Sequence, residues 1–132
     1  MKDEAGKLTY NPRMATPSVF QVPPLNERKR IPMKTIRAIA KHIAERFNPE
    51  QIILFGSHAY GKPSAWSDVD LLVVMEAPEG NLAQMLAISR AISPHPFGLD
   101  IIVHPLRTLS ERIAANDFFL KEIVTNGKVL YE

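Results

Sequence analysis

Gly56-Ser57 and the carboxylates Asp68, Asp70 and Asp100 are the residues whose types and spacing could do chemistry. A short apolar run, Gln51-Ile52-Ile53-Leu54-Phe55, ends at Gly56, and a helical turn can begin at Ser57. Backbone amides left free at such a junction carry positive partial charge and favour a phosphate. Glycine lets the phosphate approach the main chain, and the serine hydroxyl adds one donor. Ordinary turn chemistry also explains a lone Gly-Ser pair, so the pair by itself decides nothing.

Asp68-Val69-Asp70 supplies the other half. Side chains alternate along a strand, so both carboxylates project the same way while Val69 points into a core. Two such charges beside an apolar run repel each other unless a cation or a proton joins them. The plain alternative is a turn-capping Asp68 followed by an exposed Asp70 at a strand start. Asp100 opens a further apolar strand, Asp100-Ile101-Ile102-Val103, and is open to two readings of its own. It is either bonded to a loop amide or, if the two strands are neighbours, the third carboxylate of one patch. Three oxygen donors suit magnesium or manganese, which also accept waters and substrate phosphates.

The elements that must hold these residues alternate along the chain. Ile36, Ile39, Ala40, Ile43, Ala44 and Phe47 recur at three and four, which predicts a helix over Met33–Phe47 stopped by Asn48-Pro49. Strands are expected at Gln51–Phe55, Val69–Met75 and Asp100–Val103, with a single helical turn at Ser57–Tyr60. A helix capped by Asn81 carries Leu82, Met85, Leu86, Ile88 and Ile92. Beyond Pro105 the pattern is helical to about Thr125 with a break near Asn116, and Lys128–Tyr131 reads as a last strand. The class is therefore α/β or α+β, a small sheet flanked by helices. Residues 1–32 contain five prolines and read as an extended basic arm, with Ser18–Val22 able to pair as an edge strand. Residues 33–132 read as one domain.

Composition narrows the function classes. The chain has no cysteine, which removes disulfides and thiolate zinc sites. It has no apolar run of about eighteen residues and no apolar leader after Met1-Lys2-Asp3-Glu4, so no membrane partner and a cytoplasmic location are expected. The formal charge of +2 hides an asymmetry, because residues 1–50 hold ten Lys/Arg against five Asp/Glu. The acidic excess lies in the body, where a divalent cation could be held. Arg28-Lys29-Arg30 reads as a solvated arm rather than a nucleic-acid interface. His58 is expected to face solvent, His104 could border the site, and Ser67 to orient the Asp68 turn. Trp66 could stack on a base or anchor its loop.

Gly56-Ser57, ten residues, then Asp68-Val69-Asp70-Leu71 resembles the G-S-x10-D-x-D signature of the DNA polymerase β-like nucleotidyltransferase superfamily. The similarity extends over roughly residues 34–132 and is strongest to the minimal nucleotidyltransferase (MNT) domains. It implies a small mixed sheet flanked by helices with nucleotide bound over the strand ends. By matching position, Gly56 and Ser57 would hold nucleotide phosphates, and Asp68, Asp70 and Asp100 would ligate two magnesium ions, or manganese. Asp100 would also help deprotonate the acceptor hydroxyl. The implied chemistry is attack on the α-phosphorus with pyrophosphate leaving, the two ions ~3.5–4 Å apart. Many relatives read G-S-x-A-R-G; here Tyr60 stands at the arginine position, and Lys62 is the substitute cation.

The resemblance further implies ATP as donor and a partner, because stand-alone MNT proteins resemble antitoxins paired with HEPN-type ribonuclease toxins. In that class the reaction adds AMP to a toxin tyrosine. So short a chain leaves little room for a dedicated small-molecule pocket, which favours a protein acceptor. Two other readings stay open: a module that neutralises a partner by covering it, and nucleotidylation of a small molecule such as an antibiotic. A homo-oligomer is compatible with all three.

Overall fold

The computed structural model describes residues 20–132, arranged as four strands and five helices. Helix α1 (Met33–Phe47) begins after Pro32, whose fixed φ suits a helix entry, and buries Ile36, Ile39, Ala40 and Ile43 on one face. Asn48 ends it in the left-handed region (φ 49°), with its amide bonded to the Ala44 carbonyl, and Pro49 prevents continuation. Strand β1 (Gln51–Phe55) and the four-residue helix α2 (Ser57–Tyr60) follow. Then come β2 (Val69–Val74), α3 (Asn81–Ala91), β3 (Leu99–His104), α4 (Leu106–Ala114), α5 (Phe118–Asn126) and β4 (Lys128–Tyr131).

The sheet order is β3-β2-β1-β4. Strand β1 pairs antiparallel with both β2 and β4, whereas β2 and β3 run parallel. Parallel neighbours need a crossover, and α3 provides it. On one face Ile52, Leu54, Val69, Leu71, Val73 and Val103 pack against Ile36, Ile39 and Ile43 of α1 and Ile88 of α3. On the other, Ile53, Phe55, Leu72 and Val74 pack against Leu109 of α4 and Leu120 and Ile123 of α5. Alternation along β2 therefore serves two cores at once, and its one polar member, Asp70, stands out among five buried apolar residues. The architecture is the small mixed sheet flanked by helices that the sequence predicts.

Two local expectations need correction, and a third holds. Asn81 does not cap α3: it is the first helical residue, preceded by Gly80 at φ 102°. The Gly80 amide is bonded to the Ala77 carbonyl, so the turn consumes the position at which a side-chain cap would act. In the Ser18–Val22 edge strand, residues 18 and 19 lie outside the described residues, and 20–22 form no strand. Phe20 and Ile31 are instead buried in the α1 core, and Thr35 Oγ1 donates to the Gln21 carbonyl at 3.1 Å. The predicted break near Asn116 is real: Asn116 takes φ 65°, and Asp117 then caps α5 by accepting from the Leu120 amide at 3.1 Å.

Leu72 is fully buried at the centre of β2. Leu72→Ala is expected to cost about 2–5 kcal/mol, through lost transfer energy and the cavity left behind. Urea denaturation of the two proteins measures it directly.

Candidate active site

The site begins where β1 ends. Phe55 is the register partner of Asp70, so the turn that follows lies over the Asp70 side chain. Gly56 has φ 72° and ψ −156°, a region that residues with a Cβ scarcely enter. A Cβ there would also collide with the Asp70 carboxyl group. Glycine is thus required twice, by the backbone and by its neighbour. In the turn, the Ala59 and Tyr60 amides bond the Gly56 carbonyl at 3.0 and 3.1 Å, and Gly61 bonds the Ser57 carbonyl. The Ser57 and His58 amides make no backbone bond among the described residues. With only four residues, α2 offers these individual amides rather than a strong dipole.

The parallel register places Asp100 of β3 directly beside Asp70 of β2. The two carboxyls lie within hydrogen-bonding reach, and Asp70 is pushed up to about 6. Burial is the largest cause, followed by the charge of Asp100, the hydrogen bond to it, and the charge of Asp68. Asp68 sits just ahead of β2, where the Val69 amide bonds the Gly98 carbonyl at 2.9 Å. Its carboxylate rests against Gly98, where a Cβ would strike it. Asp68 and Asp100 are solvent-exposed and Asp70 is half-buried.

This donor set fits a divalent cation in chemistry: oxygen ligands only, with one carboxyl whose uncompensated charge holds its proton up to about pH 6. Asp70 and Asp100 form the facing pair. Among the described residues no three such side chains are already gathered as a closed ligand set. Lys62 is exposed and makes no hydrogen bond or ion pair among those residues, so the structure does not bring it to the carboxylates. Tyr60 is 40% exposed.

The shifted carboxyl gives a pH prediction. A raised carboxyl binds a proton in the folded state that the unfolded chain, at 3.8, has already lost. Asp70's contribution to metal-free stability therefore falls as pH rises from about 4 to about 6. A cation bound by Asp70 must displace that proton, so its affinity is expected to strengthen through the same range and level off above it. Manganese titrations at pH 5 and pH 7.5 check this, and equal affinity at both would contradict it.

The loop between the two motifs is held by residues that sequence reasoning missed. His58 is 3% exposed, not solvent-facing as expected. Its Nε2 lies 3.0 Å from the Ser67 carbonyl, which fixes that nitrogen as donor and leaves Nδ1 to accept from Arg30 Nη2 at 3.2 Å. Burial, with Arg30 and against Ser67 and Asp68, lowers its pKa, which keeps the ring neutral. Arg28 donates from Nε and Nη2 to the Ala65 carbonyl at 3.3 and 3.2 Å. The solvated-arm reading is thus corrected for Arg28 and Arg30, while Lys29 is exposed. Ser67 Oγ accepts from the Ser64 amide at 2.9 Å, as a residue orienting the Asp68 turn should. Trp66 is 78% exposed and anchors nothing. His104 lies four residues along β3 from Asp100, about 13 Å away, and does not border the site.

A cavity of about 380 Å³ between α1 and β4, lined by Arg37, Lys41, Glu45 and Tyr131, is remote from the carboxylates. No helix among the described residues is long and apolar enough to cross a membrane. Comparison with curated proteins gives no significant match. The family model described as "Polymerase beta, Nucleotidyltransferase" matches residues 37–132, a span that contains β1, the Gly56-Ser57 turn and all three carboxylates. With nearly the whole described fold inside that match, the chain belongs to the polymerase beta nucleotidyltransferase family and is a transferase of nucleotidyl groups.

Proposed function

We propose that the chain transfers AMP from ATP to a hydroxyl of a partner protein, a tyrosine of a HEPN-type toxin, and so acts as its antitoxin. The observation that carries the catalytic half is the Asp70–Asp100 pair beneath the Gly56 turn, a concentrated negative patch beside free amides. Asp68, Asp70 and Asp100 would hold two magnesium or manganese ions, which when bound neutralise charge on the attacking and leaving oxygens. The Ser57 hydroxyl and the Ser57 and His58 amides would hold the nucleotide phosphates, with Lys62 free to swing in. Asp100, exposed beside Asp70, would take the acceptor's proton as its oxygen bonds the α-phosphorus. The bond to the β-phosphate oxygen breaks, and pyrophosphate leaves. The residues contribute mainly by positioning and charge compensation.

The open placement of Asp68 and Asp100 supports an acceptor as large as a protein surface. Exposed apolar residues stand close by, since Phe119 meets Phe55 edge-on at 5.7 Å and Phe55 is the register partner of Asp70. A second reading, neutralisation by covering the toxin without turnover, is favoured by Tyr60 at the family's arginine position. The test is the Asp68→Ala/Asp70→Ala double variant, expressed with the toxin encoded by the neighbouring gene. Loss of neutralisation supports transfer; full neutralisation by the double variant establishes covering instead.

A further inference from the structure

Arg28 and Arg30 lie outside the span matched by the family model, yet Arg28 reaches into the loop that joins its two motifs and Arg30 reaches His58 in the turn before that loop. The loop runs from Gly61 to Asp68 and has no regular secondary structure. Its ends carry the two halves of the candidate site, so its conformation fixes where Asp68 stands relative to the Ser57 turn. Three ties hold it. Arg28 makes two bonds to the Ala65 carbonyl, His58 bonds the Ser67 carbonyl, and Arg30 bonds the other nitrogen of His58 and, at 3.4 Å, its carbonyl. The last tie matters because His58 belongs to α2, the turn itself. One buried ring thus joins the phosphate-side turn to the residue preceding Asp68.

We propose that Arg28, Arg30 and His58 are positioning residues for nucleotidyl transfer, a clasp by which the segment before α1 sets the distance between the Ser57 turn and Asp68. Arg28 is anchored in turn, since its Nη1 donates to the Pro23 carbonyl at 3.2 Å. The segment itself is pinned by Phe20 and Ile31 in the α1 core. The chain thus runs from a buried hydrophobic anchor, through two guanidinium groups, to the backbone beside a carboxylate. Planar guanidinium groups suit this, because two N–H groups can address one carbonyl and hold its orientation.

This inference rests on the transferase reading of the site, and its test separates the two. Trp66, the single tryptophan, lies between Ala65 and Ser67, the two residues whose carbonyls the clasp grips. Time-resolved fluorescence anisotropy of Trp66 in the full-length chain therefore reports loop motion without needing activity. Manganese–ATP affinity is measured on the same samples. Arg28→Ala removes half-buried bonds to a loop carbonyl without opening the core, and His58→Gln keeps a donor toward the Ser67 carbonyl, whereas His58→Leu does not. Arg28→Ala and His58→Leu are expected to free Trp66 motion and weaken manganese–ATP about tenfold, the usual scale for groups that orient metal ligands. His58→Gln should restore most of both readouts. A merely structural role would lower thermal stability and leave both readouts, and the rescue, unmoved.

Unchanged affinity in folded Arg28→Ala overturns the proposal, whether or not the loop loosens. Should His58→Leu fail to fold, Arg28→Ala decides alone. If the wild-type chain binds no manganese–ATP, the transferase reading fails. The anisotropy of Arg28→Ala then decides whether the clasp holds the loop.

Discussion

Asp70→Asn is expected to reduce nucleotidyl transfer about a thousandfold while leaving the protein as stable as the wild type, or more so, at pH 7.5. Loss of activity follows from removing the carboxylate that faces Asp100 and that would bind cation charge. The stability expectation has the opposite sign, and that is what makes the pair of measurements informative. Ionised Asp70 is disfavoured by burial and by two neighbouring carboxylates, so the fold tolerates its charge at a cost. Asparagine has the same shape, no charge, and an N–H able to reach Asp100. In metal-free buffer the gap in melting temperature should open above about pH 4 and reach its full size above about pH 6. A metal site built at the expense of stability predicts this divergence, whereas a carboxylate serving as a cap would lose stability on substitution. A melting temperature for Asp70→Asn well below wild type at pH 7.5 would therefore contradict the account.

Gly56→Ala is the second large expected effect, and it should damage fold and activity together. The backbone at φ 72° and ψ −156° strains any residue with a Cβ by about 1–3 kcal/mol. The new methyl group also displaces the Asp70 carboxyl, so catalysis is lost beyond what the remaining folded fraction explains. Gly98→Ala provides the contrast. Its Cβ would displace Asp68, but Gly98 is not among the positive-φ residues, so the backbone itself bears no such strain. Urea melts and turnover of the two variants should thus differ. Gly56→Ala should lose both, and Gly98→Ala mainly turnover.

Much of this was legible in the sequence because local patterns agreed with the tertiary fold. The period of Ile36, Ile39, Ala40 and Ile43 and the Asn48-Pro49 stop define α1 at its observed ends. The run closed by Gly56 gives β1, and alternation along β2 sets Asp70 opposite Val69 and Leu71, which enter the α1 core. The conditional step, whether β3 adjoins β2, was settled only by the parallel register that puts Asp100 beside Asp70.

What escaped the sequence depends on contacts between distant residues. The bond from Arg28 to Ala65 spans 37 positions and that from Arg30 to His58 spans 28. A short basic run has the same composition whether solvated or docked, so Arg28-Lys29-Arg30 carries no sign of its carbonyl partners. A four-residue helical turn has no period from which to read a buried face, which is why His58 passes as a surface residue. Trp66 errs in the other direction: its size suggests an anchor, but the loop is held by polar bonds to main-chain carbonyls and the indole is left outside. Asn81 misled because the helix starts one residue earlier than a cap at Asn81 requires, leaving Gly80, which has no side chain, at the cap position.

The most direct test of the central claim is transfer from ATP labelled in parallel at the α- and the γ-phosphate, with magnesium, the chain and the proposed toxin partner. The account predicts label on the toxin from α-labelled ATP alone, equimolar release of pyrophosphate, and loss of both with Asp70→Asn. Label arriving from the γ-phosphate, or transfer that survives Asp70→Asn, would contradict it.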